Sequence, residues 1–284
     1  MSKKIAIVSD STGCLTEDML KAHNIHTSFL MIIFGNDSYQ EFKEISPEKF
    51  VELSAAQEEL PTTSQPAPGL TVELYEQIFA DGYDEIIHIT ISSQLSGSYQ
   101  SAINASQIVA ADKIHIFDSK TVAFPQGALA IEASKMAATG MDVKEILAEL
   151  ERIQKTGFLR ATVKTLDNLK KGGRLSNASA VIGGMLQIKP IIGMSEDGKL
   201  EAMAKVRTFN KALQALVTLA NEADLTDNYE IGIMHMNNLD DANALKDELA
   251  EIYPNITIHV LPLSLVVSAH VGEGTIGVTW SEVT

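Results

Sequence analysis

The strongest constraint on the fold is an alternation of short β-branched runs with longer helical patterns. The runs "KIAIVS" (4–9), "DEIIHITIS" (84–92) and "KIHIFDS" (113–119) are typical of buried strands, and "HTSFLMIIFG" (26–35) predicts one more. Helical periodicity occupies the stretches between and after them, at 68–82, 96–110, 125–139 and 142–154. Strands separated by helices in this rhythm indicate βαβ units and a largely parallel sheet.

The order of elements changes after residue 156. The segment "IKPIIGMSEDGKLEAMAKV" (188–206) predicts a β-hairpin that turns at "EDG", and 176–187 predicts a weak helix. Further strands are predicted at 158–163, 229–236 and 256–263, and further helices at 165–173, 208–223 and 239–251. We therefore predict an α/β fold with two domains: residues 1–156 with a mostly parallel, Rossmann-like sheet, and residues 157–284 with a mixed sheet.

Charge and cysteine content narrow the classes of function. The net charge of −15 excludes a broad basic face for nucleic acid, but a small anion held by local donors remains compatible with it. The chain has one cysteine, Cys14, which predicts a reducing, cytoplasmic setting without an intrachain disulfide. No apolar run approaches the length of a membrane span, so we expect a soluble protein with no stable membrane insertion.

Several known motifs are either absent or lack the sequence context that their function requires. "GEGTIG" (272–277) matches a dinucleotide-binding pattern, but the residues after it predict a strand rather than the required helix. The seven histidines show no metal-ligand spacing, and no G-x-S-x-G nucleophile elbow occurs. Asp10 ends the first predicted strand, where a phosphatase nucleophile could lie. That chemistry expects a second aspartate two residues on, where this chain has Thr12, so a simple polar turn is favoured.

Two hydroxyl-rich stretches remain, "TTSQ" (62–65) and "SSQLSGS" (92–98). A doubly wound sheet binds ligands outside the carboxyl ends of its strands, where "SSQLSGS" is predicted to lie. Ser96 is predicted to cap the following helix, beside amides that favour an anion. Arg174, just after a glycine pair, and His270, in the stretch "SAHVGEG" of small residues and glycines, are further candidates for the same anion. The plain alternative is that Ser96 only caps a helix and Thr63 only shapes a turn.

The segments "TSQPAPG", "ISSQLSGSYQSA", "FDSKT", "LKKGGRLS", "IKPII", "DGKL", "KVRT" and "HVGEGTIG" resemble, in order and spacing, those of the DegV family. The resemblance runs from Ile5 to Thr279. It implies a two-domain α/β protein that binds one long-chain, palmitate-like fatty acid between its domains, without further cofactor or metal. The acyl chain would lie in an apolar tunnel, and a fatty acid kinase is the implied partner in fatty acid metabolism or lipid transport.

Residue by residue, the resemblance implies that Thr63 and Ser96 bind the carboxylate, with Ser64 and Ser93 beside them. His270 and Arg174 are implied second partners, and Arg207 is implied to face the kinase. The family commonly has "HTGPG" at its last motif, where this chain has "HVGEG". Val271 removes a hydroxyl there, and Glu273 adds a charge that would repel a carboxylate unless it points away.

Other classes of function stay open at this point. A small-molecule hydrolase or phosphatase could use Asp10 or a loop serine, although no hydroxyl has a base at a recognisable spacing. A regulatory or interaction protein with an incidental cavity is a third possibility. A non-enzymatic fatty acid carrier is the reading that accounts for both hydroxyl stretches together.

Overall fold

The computed structural model describes residues 3–57, 59–176 and 188–283, so all but the first residue of the predicted helix at 176–187 lies outside it. The described strands are β1 (Ile5–Asp10), β2 (Ile25–Ser28), β3 (Met31–Phe34), β4 (Asp37–Gln40), β5 (Thr62–Ser64), β6 (Glu85–Thr90), β7 (Ile114–Asp118), β8 (Phe158–Thr162), β9 (Lys189–Met194), β10 (Leu200–Val206), β11 (Tyr229–His235), β12 (Thr257–Pro262) and β13 (Ile276–Glu282). The described helices are α1 (Glu17–Ala22), α2 (Pro47–Ala56), α3 (Pro68–Ala80), α4 (Ser98–Val109), α5 (Phe124–Ala138), α6 (Val143–Gln154), α7 (Asp167–Lys171), α8 (Phe209–Glu222), α9 (Leu239–Ile252) and α10 (Leu265–Val271).

The first half of the chain forms a parallel sheet in the order β2-β1-β6-β7. Strand β1 is buried along its whole length, which agrees with the apolar run from Ile5 to Val8, and the burial extends to the polar Ser9 and Asp10. The chain proceeds to β2 on one side of β1 and later to β6 on the other, so the strand order reverses at β1. A reversal of this kind opens a crevice at the carboxyl ends of the strands, and the predicted Rossmann-like sheet is confirmed.

The second half forms a six-stranded mixed sheet in the order β10-β9-β8-β13-β11-β12. Strands β11 and β12 are parallel and the other neighbours are antiparallel. The predicted hairpin is β9 and β10, and Gly198 in its turn has a φ of 81°, a conformation that favours glycine. The two-sheet α/β fold is therefore as predicted.

A third, small sheet in the order β4-β3-β5 was not predicted. The single strand expected at 26–35 is in fact two strands, β2 in the parallel sheet and β3 in the small antiparallel one. The chain crosses between them near Leu30, whose N–H donates to Ser11 Oγ at 3.0 Å. The sequence does not mark this crossing, because only Phe29 and Leu30 connect the two strands and neither is a typical turn residue. The "TTS" segment is also a strand, β5, paired with β3.

Helix α5 packs between the two large sheets. Phe124 at its start is fully buried and lies so close to Gly232 in β11 that a Cβ there would be 2.6 Å from its ring. On the side of the first sheet, Gly127 packs closely against Gly13. Because α5 packs against both large sheets, the domain boundary at residue 156 stays a prediction. No helix in the described segments is both long and apolar enough to span a bilayer.

Candidate functional site

A cavity of about 420 Å³ lies between the two halves of the molecule. It begins where β6 and β7 end, at Ile91 and Val122, and extends along β8, β9, β11 and β13. Its wall is mostly aliphatic, with Leu159, Ile192 and Met234 among its residues. Its volume falls within the range of about 300–1,000 Å³ that is usual for small-molecule sites.

Two threonines in this wall do not make it polar. Thr279 donates its hydroxyl to the carbonyl of Gly232 at 3.0 Å. Thr275 donates to the carbonyl of Gly272 at 2.8 Å. Because both hydroxyl protons are used by the backbone, that part of the cavity suits an apolar ligand segment.

Polar side chains of the cavity wall gather around Thr63 and His270. Thr63 on β5 places its Oγ1 2.7 Å from Nε2 of His270. His270 lies in the last turn of α10, a short helix that was not predicted from the sequence. Ser264 begins this helix, accepting the Val267 N–H at 3.1 Å, and Gly272, with a φ of 81°, follows its end.

His270 is uncharged at neutral pH. Burial, and secondarily the positive charge of Arg174, lower the pKa of its imidazole from 6.5 to about 4. A neutral ring has one N–H and one acceptor nitrogen. If Nε2 carries the proton and donates to Thr63, the Thr63 hydroxyl proton is available to a ligand.

Arg174 is the cation of the site. Its Nε donates to the Leu95 carbonyl at 3.3 Å and its Nη1 donates to the Gly172 carbonyl. Gly172 in turn lies under His270, since a Cβ there would be 2.6 Å from Nδ1. Within residues 3–57, 59–176 and 188–283, no carboxylate pairs with Arg174. A cavity that carries a cation without a counter-ion favours an anionic ligand.

Ser96 lines the cavity, but it does not cap α4 as predicted. The helix begins two residues later, and the N-cap position is Gly97, which has no side chain to act as a cap. Ser96 Oγ accepts the Ser98 N–H at 3.2 Å and lies 3.0 Å from Ser98 Oγ. It therefore still faces the first free amide of α4, as a hydroxyl placed just ahead of the helix.

The sequence analysis did not single out Gln65 or Gly97, both of which line the cavity. The two hydroxyl-rich stretches meet at these residues. Gln65 packs so closely on Gly97 that any side chain at position 97 would overlap its amide oxygen. The glycine in "LSGS" was the sequence signal for this close approach, because a helix cap at Ser96 does not by itself require a glycine after it.

Ser64 and Ser93 differ in placement. Ser64 lines the cavity and donates its hydroxyl to the Gln65 carbonyl at 2.8 Å. Ser93 is exposed, lies outside the cavity wall, and its N–H donates to Asp118 at 3.1 Å. Of the six candidates, the structure brings Thr63, Ser64, Ser96, Arg174 and His270 to one cavity and leaves Ser93 outside it.

The departures in "HVGEG" are accommodated without harm to the site. Glu273 is exposed and accepts the Asn237 side-chain N–H at 2.7 Å, so its charge points away from the cavity. Val271 contributes an apolar side chain to the wall. The "GEGTIG" loop leads into β13 rather than into a helix, as predicted, whereas the dinucleotide-binding pattern requires a helix there.

Asp10 is not available as a nucleophile. Its side chain is buried, with Oδ1 3.1 Å from His88 Nε2 and Oδ2 accepting the Ile91 N–H at 3.0 Å. It does not line the cavity. Across the described residues, no group of three or more His, Cys, Asp and Glu side chains could hold a metal ion.

Comparison with known proteins agrees with this architecture. A DegV domain-containing protein of Halalkalibacterium halodurans is 37% identical over 98% of both chains. The crystal structure of DegV from Bacillus subtilis, a fatty acid binding protein, superimposes with a TM-score of 0.90 at 34% identity, covering 99% of this chain and all of that one. A fatty-acid-binding DegV family protein from Thermus thermophilus gives a TM-score of 0.91 at 26% identity, with the same coverage.

The family model described as "Uncharacterised protein, DegV family" matches residues 4–283, nearly the whole chain. Together with the relatives above, this match shows that the chain belongs to the DegV family.

Proposed function

We propose that the cavity holds one long-chain, palmitate-like fatty acid, with its carboxylate at Thr63, Ser96, Arg174 and His270. The observation that carries the proposal is an aliphatic cavity whose wall also holds the hydroxyls of Thr63 and Ser96 and the guanidinium of Arg174, which no carboxylate of the described residues pairs with. Ser64 lies beside these groups. The known fatty acid binding of DegV from Bacillus subtilis supports the same ligand class.

Different polar groups would supply the positive charge and the hydrogen bonds that hold a carboxylate. Arg174 supplies the opposite charge, and Thr63 and Ser96, which line the same cavity, supply hydroxyl groups. His270 is kept neutral and contacts the Thr63 hydroxyl; in the tautomer with the proton on Nε2 it donates to Thr63 Oγ1 and leaves the hydroxyl proton for the ligand. A carboxylate needs such partners because an unpaired charge is costly to bury.

The aliphatic wall supplies most of the affinity. Each buried methylene contributes about 0.8 kcal/mol, so a sixteen-carbon chain gives roughly 10 kcal/mol before ordering costs. The protein would act as a carrier rather than as an enzyme, with no other cofactor. We further propose that it presents the carboxylate to a fatty acid kinase, with exposed Arg207, just after β10, facing that partner.

Native mass spectrometry of the purified protein tests the ligand. We expect one fatty acid per chain, released and identified on denaturation. An empty protein that hydrolyses model esters or phosphates would instead support the hydrolase alternative, for which the buried, fully engaged Asp10 offers no accessible nucleophile. Adding a purified fatty acid kinase with ATP tests the carrier role, because only a presented carboxylate becomes an acyl phosphate.

A further inference from the structure

Glu41 is a fully buried carboxylate that joins the two halves of the molecule. It follows β4, and its backbone N–H donates to the Leu30 carbonyl at 3.1 Å. Its Oε1 accepts the Ser11 hydroxyl at 2.5 Å, and its Oε2 accepts the Val266 N–H at 3.0 Å. The second bond places a carboxylate from the first half at the start of α10, where helix amides are free.

Helix α10 is part of the cavity wall. Val266, Val267, His270 and Val271 all line the cavity. The helix has seven residues, too few to be stable without tertiary contacts. Its inner face packs on the small sheet through a hydrophobic cluster: Leu265, Val266 and Ala269 from α10, with Leu30, Ile32, Phe34, Ile45 and Phe50.

The helix is thus bonded at both ends by the segments around the small sheet. Glu41, just after β4, bonds its first turn, and Thr63 on β5 contacts His270 in its last turn. We propose that Glu41 is a positioning residue for the cavity: by holding the start of α10 it sets the place of His270 against Thr63. Its role in ligand retention rests on the proposed function; its role in placing His270 does not.

The ionisation of Glu41 is sensitive to the same contacts. Burial raises the pKa of Glu41 to about 7, while the hydrogen bonds from Ser11 and from the start of α10 act in the opposite direction. The other titratable groups on the surrounding elements are Asp10, Cys14 and His270, the half-buried Tyr39, and the exposed Asp37, Lys43, Glu44, Glu48, Lys49 and Glu52. Asp10 is engaged with His88, and His270 is at the far end of α10.

Cys14 does not titrate together with Glu41. Its Sγ accepts the Ser264 N–H at 3.3 Å, immediately before α10. Burial raises the pKa of its thiol to about 12, so the thiol stays neutral through the range in which Glu41 ionises. The Cys14 thiol therefore does not contribute to a change in α10 between pH 6 and 8.

The test is an NMR titration of His270 in the ligand-free protein, with its signal assigned by its loss in His270→Gln. In Glu41→Ala we expect the pKa of His270 to rise from about 4 by about one unit or more, because the ring leaves its buried place beside Thr63. Glu41→Gln keeps an oxygen for the Val266 N–H and should restore the wild-type value. The matched control is Glu132→Gln, a buried glutamate on α5 outside the cavity wall.

Dissociation of a fluorescent fatty acid is the second readout. At pH 6 we expect release to be roughly tenfold faster from Glu41→Ala, and nearly unchanged in Glu41→Gln and Glu132→Gln. Between pH 6 and 8 the wild-type rate should change with a midpoint near 7, and Glu41→Gln should lack that change. If Glu41→Ala does not fold, the comparison of the wild type with Glu41→Gln tests the proposal.

An unchanged His270 pKa in folded Glu41→Ala overturns the proposal, and so does a wild-type pH dependence in Glu41→Gln. If the pKa shifts as expected but the wild-type protein binds no fatty acid, the role of Glu41 is supported and the proposed function is refuted.

Discussion

Thr63 Oγ1 and His270 Nε2 lie 2.7 Å apart, although 207 positions separate the two residues in the chain. The contact joins β5 of the first half to α10 of the second, so neither half alone contains the polar part of the cavity. A ligand bound there contacts both halves at once. It should therefore stabilise their association, since ligand that binds only the folded state raises stability by mass action.

Removal of the hydroxyls from Thr63 and Ser96 should release the fatty acid. In the double variant Thr63→Val with Ser96→Ala, we expect affinity to fall on the order of 100-fold, because each lost bond to a charged group is worth about 1.5–3 kcal/mol. Isothermal titration calorimetry with delipidated protein measures this loss.

Ser93→Ala is the matched control for that experiment, since Ser93 is exposed and outside the cavity wall. Its affinity should equal that of the wild type. A loss in Ser93→Ala as large as in the double variant would mean that the carboxylate lies elsewhere.

Ligand binding should shift the titration of His270. The neighbouring Arg174 charge helps to keep its pKa near 4, and a bound carboxylate would offset that charge. We expect the pKa of His270 to rise on addition of a fatty acid, as followed by NMR. The uncharged alcohol of the same chain length should not raise it; an equal effect of acid and alcohol would contradict a carboxylate near His270.

The pH dependence of stability should also contain a contribution from His270. Its pKa in the folded protein is lowered from 6.5 to about 4, so the unfolded chain binds more protons between these values. Stability therefore falls as the pH drops from 6.5 to 4. The free energy of unfolding of His270→Gln, measured by urea denaturation, should fall less than that of the wild type in this window; equal slopes would argue against a buried, neutral His270.

Gly97→Ala tests the contact between the two hydroxyl stretches. Gly97 has a φ of −75°, which alanine adopts freely, but the added Cβ would overlap Gln65 Oε1. Because the end of Gln65 can swing aside, we expect a stability loss below about 1 kcal/mol together with weaker fatty acid binding. Gly69→Ala in α3, with open space around its Cβ, should leave binding unchanged and stabilise the helix by up to about 1 kcal/mol.

A larger side chain at Ala161 should shorten the preferred acyl chain. Ala161 lies on β8, in the aliphatic part of the wall, opposite Gly277. We expect Ala161→Leu to shift the fatty acids recovered by lipid extraction toward shorter chains, with little change in occupancy. An unaltered distribution of chain lengths would place the acyl chain away from β8.

Local sequence was sufficient for the elements whose hydrophobic pattern matches their burial. The buried β1, the hairpin of β9 and β10, and α6, which begins with a capping box at Asp142 and Glu145, all appear where the pattern predicts them. The elements that it missed are short and depend on partners far away. Strand β5 is polar and exists by pairing with β3, and the seven-residue α10 depends on Glu41 and on the small sheet.

For the site, the sequence by itself determined the chemistry: hydroxyls, an arginine and a histidine in an acidic chain, in the motif order of one family. Only the tertiary structure decided which of them meet. In the folded protein, Ser93 lies outside the cavity and Glu273 points away from it. Helix α4 begins after Ser96, and His270 contacts Thr63. The reason is physical: local patterns record which face of an element is apolar, whereas side-chain proximity depends on how two sheets pack around α5 and α10.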